Sequence, residues 1–175
     1  YTTLFRSPLE LDAVLTVLKN KKAPGPDSCR SELVKWLSGI NRLYLLELFN
    51  DINIHINGIY PECFTLANIA ALYKKGDATQ MKNYRPIALL QVFYKILARL
   101  VRNRFQCAYD SWIQNSQFGF RPKKSTSQAI FVARRLLDIA ERQQSNMTLA
   151  LLDWEKAFDK INQSKLLQVL RRLKT

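Results

Sequence analysis

Apolar side chains recur at helical spacing over most of the chain, and three short runs break that period in a strand-like way. Ser7-Pro8-Leu9-Glu10 opens the first helix: Ser7 can cap it, Pro8 suits its first turn, and Glu10 completes a capping box. Leu11, Val14, Leu15 and Leu18 then mark one apolar face. A loop is predicted from Lys19 to Asp27, basic at first and then stiffened by Pro24 and Pro26 around Gly25. Helical patterning resumes from Ser31 to Ile56, with Tyr44, Leu45, Leu48, Phe49, Ile52 and Ile56 on one side, before Gly58 and Pro61 punctuate it.

A β-hairpin is expected next. Asn68 to Tyr73 and Asn83 to Leu90 read as its strands, joined by a long loop that begins at Lys74-Lys75-Gly76-Asp77 and projects into solvent. Pro86 within the return run marks an edge strand or a bulge. Residues 91–109 return to the helical period, with Phe93, Ile96, Leu97, Leu100, Val101 and Ala108 on the apolar arc. Arg104 falls on that arc and is expected to have a partner. Ser125 and Gln128 form a second capping box, opening a helix to about Gln143 with Ala129, Ile130, Ala133, Leu136, Leu137 and Ala140 inward. Met147 to Leu152 reads as a short strand ending at Asp153. Ser164 is expected to cap a last helix carrying Leu166, Leu167, Leu170 and Leu173.

Composition sharpens this picture. The chain has 175 residues, of which 47% are hydrophobic, so it can build a core and is not a disordered tail. Tyr1 in place of an initiator Met leads us to expect a piece of a longer protein. The 27 Lys and Arg outnumber the 14 Asp and Glu, giving a net charge of +13 that favours a polyanionic partner, nucleic acid or an anionic membrane surface. No run approaches the ~18 apolar residues of a membrane span, and Tyr-Thr-Thr-Leu-Phe-Arg at the start reads as neither a signal peptide nor a mitochondrial-type presequence. Cys29, Cys63 and Cys107 are far apart and form no C-x-x-C pair, which argues against a disulfide framework or a zinc site. His55 is the single histidine, set between Ile54 and Ile56, and is read as structural; triads and His-rich metal sites are out of reach.

Several cationic features bear on chemistry. Lys95, Arg99 and Arg102 line the polar side of the residue 91–109 helix, either as its wet face or as phosphate contacts. Lys123 and Lys124 flank a helix N-terminus, whose free N–H groups favour anions; ordinary loop lysines are the alternative. Lys74, Lys75 and Arg85 belong to the hairpin. Asp153 stands at the end of an apolar run, where a carboxylate can be held firmly at a cleft and take Mg²⁺ together with substrate phosphates. Together these features suit phosphoryl transfer, which is mostly positioning and charge stabilisation.

Lys22-Ala-Pro-Gly-Pro-Asp27, Lys74-Lys-Gly-Asp77 with Asn83-Tyr-Arg-Pro-Ile-Ala-Leu-Leu90, Gln117-Phe-Gly-Phe-Arg-Pro-Lys-Lys-Ser-Thr126 and Leu152-Asp-Trp-Glu-Lys-Ala-Phe-Asp159 resemble, in order, the reverse-transcriptase motifs of non-LTR (LINE-type) retrotransposons. Group II intron reverse transcriptases are similar but match less well. The resemblance covers the chain from about Ser7 to its end. It implies an α+β fold, the fingers of a right-hand polymerase (residues 1–145) and the start of its palm (residues 146–175). It also implies an RNA template, a DNA primer, dNTP substrates and two Mg²⁺ ions. By resemblance Asp153 is the catalytic metal ligand and Trp154 offers a backbone carbonyl to a metal. Phe158 lies under the nucleotide sugar and clashes with a 2′-OH; a plain core aromatic is the alternative. Lys74 and Arg85 clamp the triphosphate, and Gly119, Phe120 and Arg121 lie near the template or nucleotide pocket. Asp159 matches a family position but is read as a structural hydrogen-bonder.

The sequence also departs from the family. An aromatic-x-Asp-Asp element should follow in the palm, yet the chain contains no Asp-Asp pair and Asp159 is its last Asp. Two-metal chemistry needs more than one carboxylate. We therefore expect that the 175 residues alone do not polymerise, being a fragment or a truncated relic, and that the Met147–Leu152 run lacks its sheet partners. A non-catalytic nucleic-acid-binding module is the alternative function. Copying into chromosomes implies an intracellular, nuclear location, although no targeting signal stands out in the residues.

Overall fold

The computed structural model describes residues 7–54, 61–154 and 157–172. The expectations placed on Tyr1, His55, Ile56, Gly58 and Leu173, and on the side chains of Ile52 and Cys107, lie outside the described residues. The chain divides into two compact units, residues 1–103 and 104–175.

In the first unit, α1 (Pro8–Thr16), α2 (Ser31–Lys35), α3 (Gly39–Ile54) and the first turns of α4 (Val92–Tyr109) share one core. Leu11, Val14 and Leu15 of α1 meet Val34 of α2, Leu45, Leu46 and Phe49 of α3, Phe64, and Val92, Ile96, Leu97 and Leu100 of α4. Removing such side chains from water contributes about 1.5–3 kcal/mol each. The α1 capping box forms as expected: the Glu10 N–H donates to Ser7 Oγ at 3.2 Å, and the Ser7 N–H donates to the Glu10 carboxylate at 3.0 Å.

Two details of the Ser31–Ile56 expectation are corrected. The helix breaks between Lys35 and Gly39, and the buried stripe of α3 is Leu45, Leu46 and Phe49, leaving Tyr44 and Leu48 exposed. Arg42 explains the break. Its guanidinium donates to the carbonyls of Lys35 and Leu37, both at 3.1 Å, and pairs with Asp12 of α1 at 2.7 Å. One cation thus satisfies carbonyls at the end of α2 and ties the start of α3 to α1.

The hairpin consists of β1 (Ala67–Tyr73) and β2 (Tyr84–Leu90), antiparallel, in continuous register from Ala67↔Leu90 to Tyr73↔Tyr84. Pro86 sits opposite Ala71 without a bulge. In a two-stranded sheet both strands are edges, so its missing N–H can face outward. Most of both strands is exposed, and so is the loop between them from Lys74 to Lys82, as expected. The hairpin's root is clamped by the Pro-Gly-Pro loop. A Cβ on Gly25 would lie 2.6 Å from Gln91 N and Leu90 C, and 2.7 Å from Leu90 O. Only glycine lets the loop backbone approach the β2–α4 junction so closely.

The second unit holds the end of α4, a 3₁₀ turn at Asp110–Trp112, α5 (Thr126–Arg142) and α6 (Gln163–Arg172). Ser125 and Gln128 form the expected capping box of α5, at 3.0 and 3.4 Å. The cap of α6 is Asn162, not Ser164: its Oδ1 accepts from the Lys165 N–H at 3.0 Å. Asn is at least as good a cap as Ser, and it lies one turn ahead of the leucine stripe. The expected strand at Met147–Leu152 does not form, and these residues run without regular structure and exposed. A strand needs a hydrogen-bonding neighbour, and this run has none among the described residues. The α5 stripe read from sequence as inward-facing is also open, with Ile130, Leu136 and Leu137 about half exposed or more, and Leu166 and Leu167 of α6 are exposed as well. No helix among the described residues is long and apolar enough to cross a membrane.

Candidate functional site

The loop at the end of the hairpin is closed by its own polar groups. The Lys74 N–H donates to Asn83 O at 2.9 Å, Tyr73 OH to Gly76 O at 2.5 Å, and Tyr84 OH to Ala78 O at 2.9 Å. Asn83 Nδ2 donates to Asp77 O at 2.7 Å. Gly76 takes a φ of +96° beside Asn83, a backbone state that favours glycine. Asp77 Oδ1 accepts from the Thr79 N–H at 2.9 Å and from Thr79 Oγ1 at 2.7 Å, while Oδ2 accepts from Gln80 at 3.2 Å. The Thr79 N–H, then the Thr79 hydroxyl, hold the Asp77 carboxyl below the usual aspartate range.

Asp77 is thereby turned onto neutral donors of its own loop. Lys74, Lys75, Lys82 and Arg85 are exposed, and none has an ion-pair partner among the described residues. Arg85 pairs in register with Leu72, and Lys74 lies two residues beyond Leu72, so alternation puts Lys74 and Arg85 on one face of the hairpin. That face presents fixed positive charge. The Lys19–Asp27 loop is also tied down: the Lys21 N–H donates to Glu32 Oε1 at 2.5 Å and Lys35 Nζ to Asn20 at 2.7 Å. On α4, Lys95 and Arg99 are half-buried and Arg102 is exposed. Arg104 is half-buried and has a partner, as its place on the arc requires.

In the second unit, the Gln117–Lys124 segment borders an open cleft of about 480 Å³, lined by Tyr109, Gln117, Gly119, Phe120 and Arg121 among others. Arg121 has only 10% of its side chain exposed. Its five N–H groups all find acceptors nearby: the Asp110 carboxylate at 3.2 and 3.3 Å, and the carbonyls of Gln114 at 3.0 Å, Asp110 at 3.4 Å and Ile113 at 3.5 Å. The guanidinium is a brace for its own loop. Phe120 and Lys123 both have φ of +60°. Lys123 is exposed, and the Lys124 ammonium lies 5.5 Å from the centre of the Phe118 ring.

Asp153 and Trp154 are exposed, and Asp153 has no hydrogen bond or ion pair among the described residues. Phe158 is 76% exposed. It meets the ring of Phe120 edge to face, with centroids 6.2 Å apart and planes at 87°. No cluster of three His, Cys, Asp or Glu occurs among the described residues.

Comparison with known proteins gives this arrangement its family. The profile described as reverse transcriptase (RNA-dependent DNA polymerase) matches residues 73–175, from the end of β1 through α6. The chain belongs to the reverse transcriptase family. It is 30% identical over 170 residues to the RNA-directed DNA polymerase from mobile element jockey of Drosophila melanogaster, covering 94% of this chain and 18% of that protein. It is also 30% identical to the transposon TX1 uncharacterized 149 kDa protein of Xenopus laevis, covering 93% of this chain and 12% of that one. A Pol polyprotein from the type-1 retrotransposable element R2 of Popillia japonica is 23% identical over 168 residues. The resemblance to non-LTR retrotransposon reverse transcriptases therefore holds, and the chain spans about a fifth or less of these relatives' lengths. Reverse transcriptases bind template and primer and use divalent metal ions.

Sequence reasoning missed what holds these groups in place. Asp77, Asn83 and the two tyrosines stiffen the hairpin loop, Asp110 anchors Arg121, and Phe120 touches Phe158. Of these only Asp77-Ala-Thr79 carried a local signal, an Asp followed two residues later by a donor, the pattern of an Asx turn.

Proposed function

We propose that the chain forms the fingers (residues 1–145) and the start of the palm (residues 146–175) of an RNA-directed DNA polymerase. In the complete enzyme a primer 3′-OH attacks the α-phosphorus of a dNTP. The hydroxyl gives up its proton to solvent, a phosphodiester forms, the α–β bond breaks, and pyrophosphate leaves with its charge. Lys74 and Arg85, on one hairpin face, neutralise the triphosphate. The ring of Phe158 lies under the sugar and excludes a 2′-OH. Arg121 braces the Gln117–Lys124 loop beside the nucleotide pocket, and Lys95, Arg99, Arg102, Lys123 and Lys124 contact nucleic-acid phosphates.

The observation that carries this reading is the exposed carboxylate of Asp153, which has no partner among the described residues and is followed five residues later by an exposed aromatic ring. A free carboxylate suits Mg²⁺, which takes few protein oxygens and leaves its other positions to phosphates and water. Asp153 and the Trp154 carbonyl would hold it, and when bound it supplies charge neutralisation at the reacting phosphate. Asp153 is one ligand of a set that other carboxylates must complete, so the 175 residues alone should bind RNA without extending a primer.

Primer extension by the longer parent protein tests the assignment. Asp153→Asn should lower the rate by about 10²-fold or more; an unchanged rate removes Asp153 from the site. Phe158→Ala should admit ribonucleotides, and unaltered sugar discrimination rejects the gate. For the isolated chain, RNA affinity in EDTA should fall steeply with added salt.

A further inference from the structure

Among the described residues, the ring contact joining the Gln117–Lys124 loop to the turn after Asp153 is between Phe120 and Phe158. Phe120 is an unusual residue to find where it is. A non-glycine side chain at φ +60° sits in a disfavoured region, and such a conformation persists only when its surroundings fix it. Here the next residue fixes it. Arg121 is nine-tenths buried and fully hydrogen-bonded to Asp110 and to the carbonyls of residues 110, 113 and 114. On the other side, Gln117 Nε2 holds Gly119 O at 3.2 Å. With both neighbours tied, the left-handed turn drives the Phe120 ring outward, 87% exposed, and its contact there is the ring of Phe158. A large apolar side chain held in solvent by a strained backbone has no folding advantage that a glycine or serine would lack. Its placement makes sense as support for another ring.

We infer that Phe120 is a positioning residue for the sugar gate: its ring holds Phe158 at the depth and angle that separate deoxyribose from ribose. Arg121 and Asp110 act behind it as the brace that fixes Phe120. The inference rests on the proposed role of Phe158. Losing an edge-to-face contact lets the Phe158 ring tilt or retract, giving a 2′-OH room, while chemistry on a dNTP continues. Ring pairs of this kind correspond to about threefold to tenfold in an equilibrium, and the expected loss of sugar selectivity is of that size.

The test uses the longer parent protein and measures kcat/KM for a dNTP and for the matching rNTP. Phe120→Leu should raise rNTP use relative to dNTP use, lowering selectivity about threefold to tenfold. Phe120→Tyr, which keeps the ring, should restore it. Phe158→Ala should abolish most selectivity, and adding Phe120→Leu to it should change nothing further. Loss of selectivity in Phe158→Ala with none in Phe120→Leu overturns the positioning role and leaves the gate standing. Full selectivity in both variants removes the gate reading itself. A drop of dNTP and rNTP use in equal proportion would mark Phe120 as merely structural and also overturn the inference. In the isolated chain, NMR provides a second measurement: Phe120→Leu should shift the Phe158 ring protons by removing a neighbouring ring current, and unmoved resonances would contradict the contact.

Discussion

Replacing Gly25 by alanine adds one carbon where the loop backbone runs close against the β2–α4 junction. That carbon would lie 2.6 Å from Gln91 N and Leu90 C, and 2.7 Å from Leu90 O. Ordinary carbon contacts sit at about 3.5–4.0 Å, so one segment must retreat by roughly 1 Å. All three obstructing atoms are backbone, and they belong to the junction between β2 and α4, whose Val92 and Ile96 are fully buried. No side chain can rotate away to absorb the strain. The φ of Gly25 is unremarkable for any residue, so the penalty is purely steric. Overpacking typically costs about 1–3 kcal/mol, and a backbone-on-backbone clash belongs at the upper end. For a unit of about 100 residues, 3 kcal/mol lowers Tm by roughly 12 °C or more. The assay is thermal unfolding followed by far-UV circular dichroism, with Gly39→Ala as the matched control. Gly39 opens α3 and has nothing within 4 Å of its added carbon. That substitution should be neutral or stabilising by about 0.4–1 kcal/mol. If Gly25→Ala melts with wild type, the loop does not clamp the hairpin root and the reasoning fails.

Other predictions address the hairpin, the caps and the Arg42 junction. Because the folded pKa of Asp77 is depressed, its bonds to Thr79 stabilise the loop at pH above the ordinary aspartate pKa and are lost as pH falls through the lower, folded value. NMR titration of Asp77 should therefore show a midpoint below that of a free aspartate, with the Thr79 amide moving in step; an ordinary midpoint refutes the turn. Ser125→Ala should cost about 0.5–2 kcal/mol and lower helicity, since the Gln128 N–H at the start of α5 loses its acceptor, Ser125 Oγ; unchanged hydrogen exchange in the first turn of α5 would contradict this. Arg42→Met leaves the carbonyls of Lys35 and Leu37 without that donor, for a loss of about 1–3 kcal/mol by urea denaturation. A loss no larger than that of a surface ion pair would show that only the Asp12 contact matters.

Local chemistry was legible in the sequence, and long-range chemistry was not. The boxes Ser7–Glu10 and Ser125–Gln128 could be read because a cap and its partner lie three residues apart. The hairpin could be read because two apolar runs flank a turn-forming stretch. The break before Gly39 was hidden, because it depends on Arg42 reaching carbonyls five and seven residues back and Asp12 thirty residues away. The run Met147–Leu152 has strand composition, but strandedness belongs to a pair. At the site, residue types were legible from the motifs Lys74–Asp77 and Leu152–Asp159. The bracing of Arg121 by Asp110 and the meeting of Phe120 with Phe158 depend on a left-handed turn that no periodicity encodes.

The open leucine stripes of α5 and α6 affect how this chain behaves in a tube. A charge of +13 keeps molecules apart at low ionic strength, so the sticky helices rarely meet. Added salt shortens the reach of that repulsion to about 8 Å near 0.15 M and leaves the apolar attraction intact. Concentrated salt should then drive clumping where it usually aids a basic protein's recovery, and mild detergent or a polyanion should be the better stabiliser during purification.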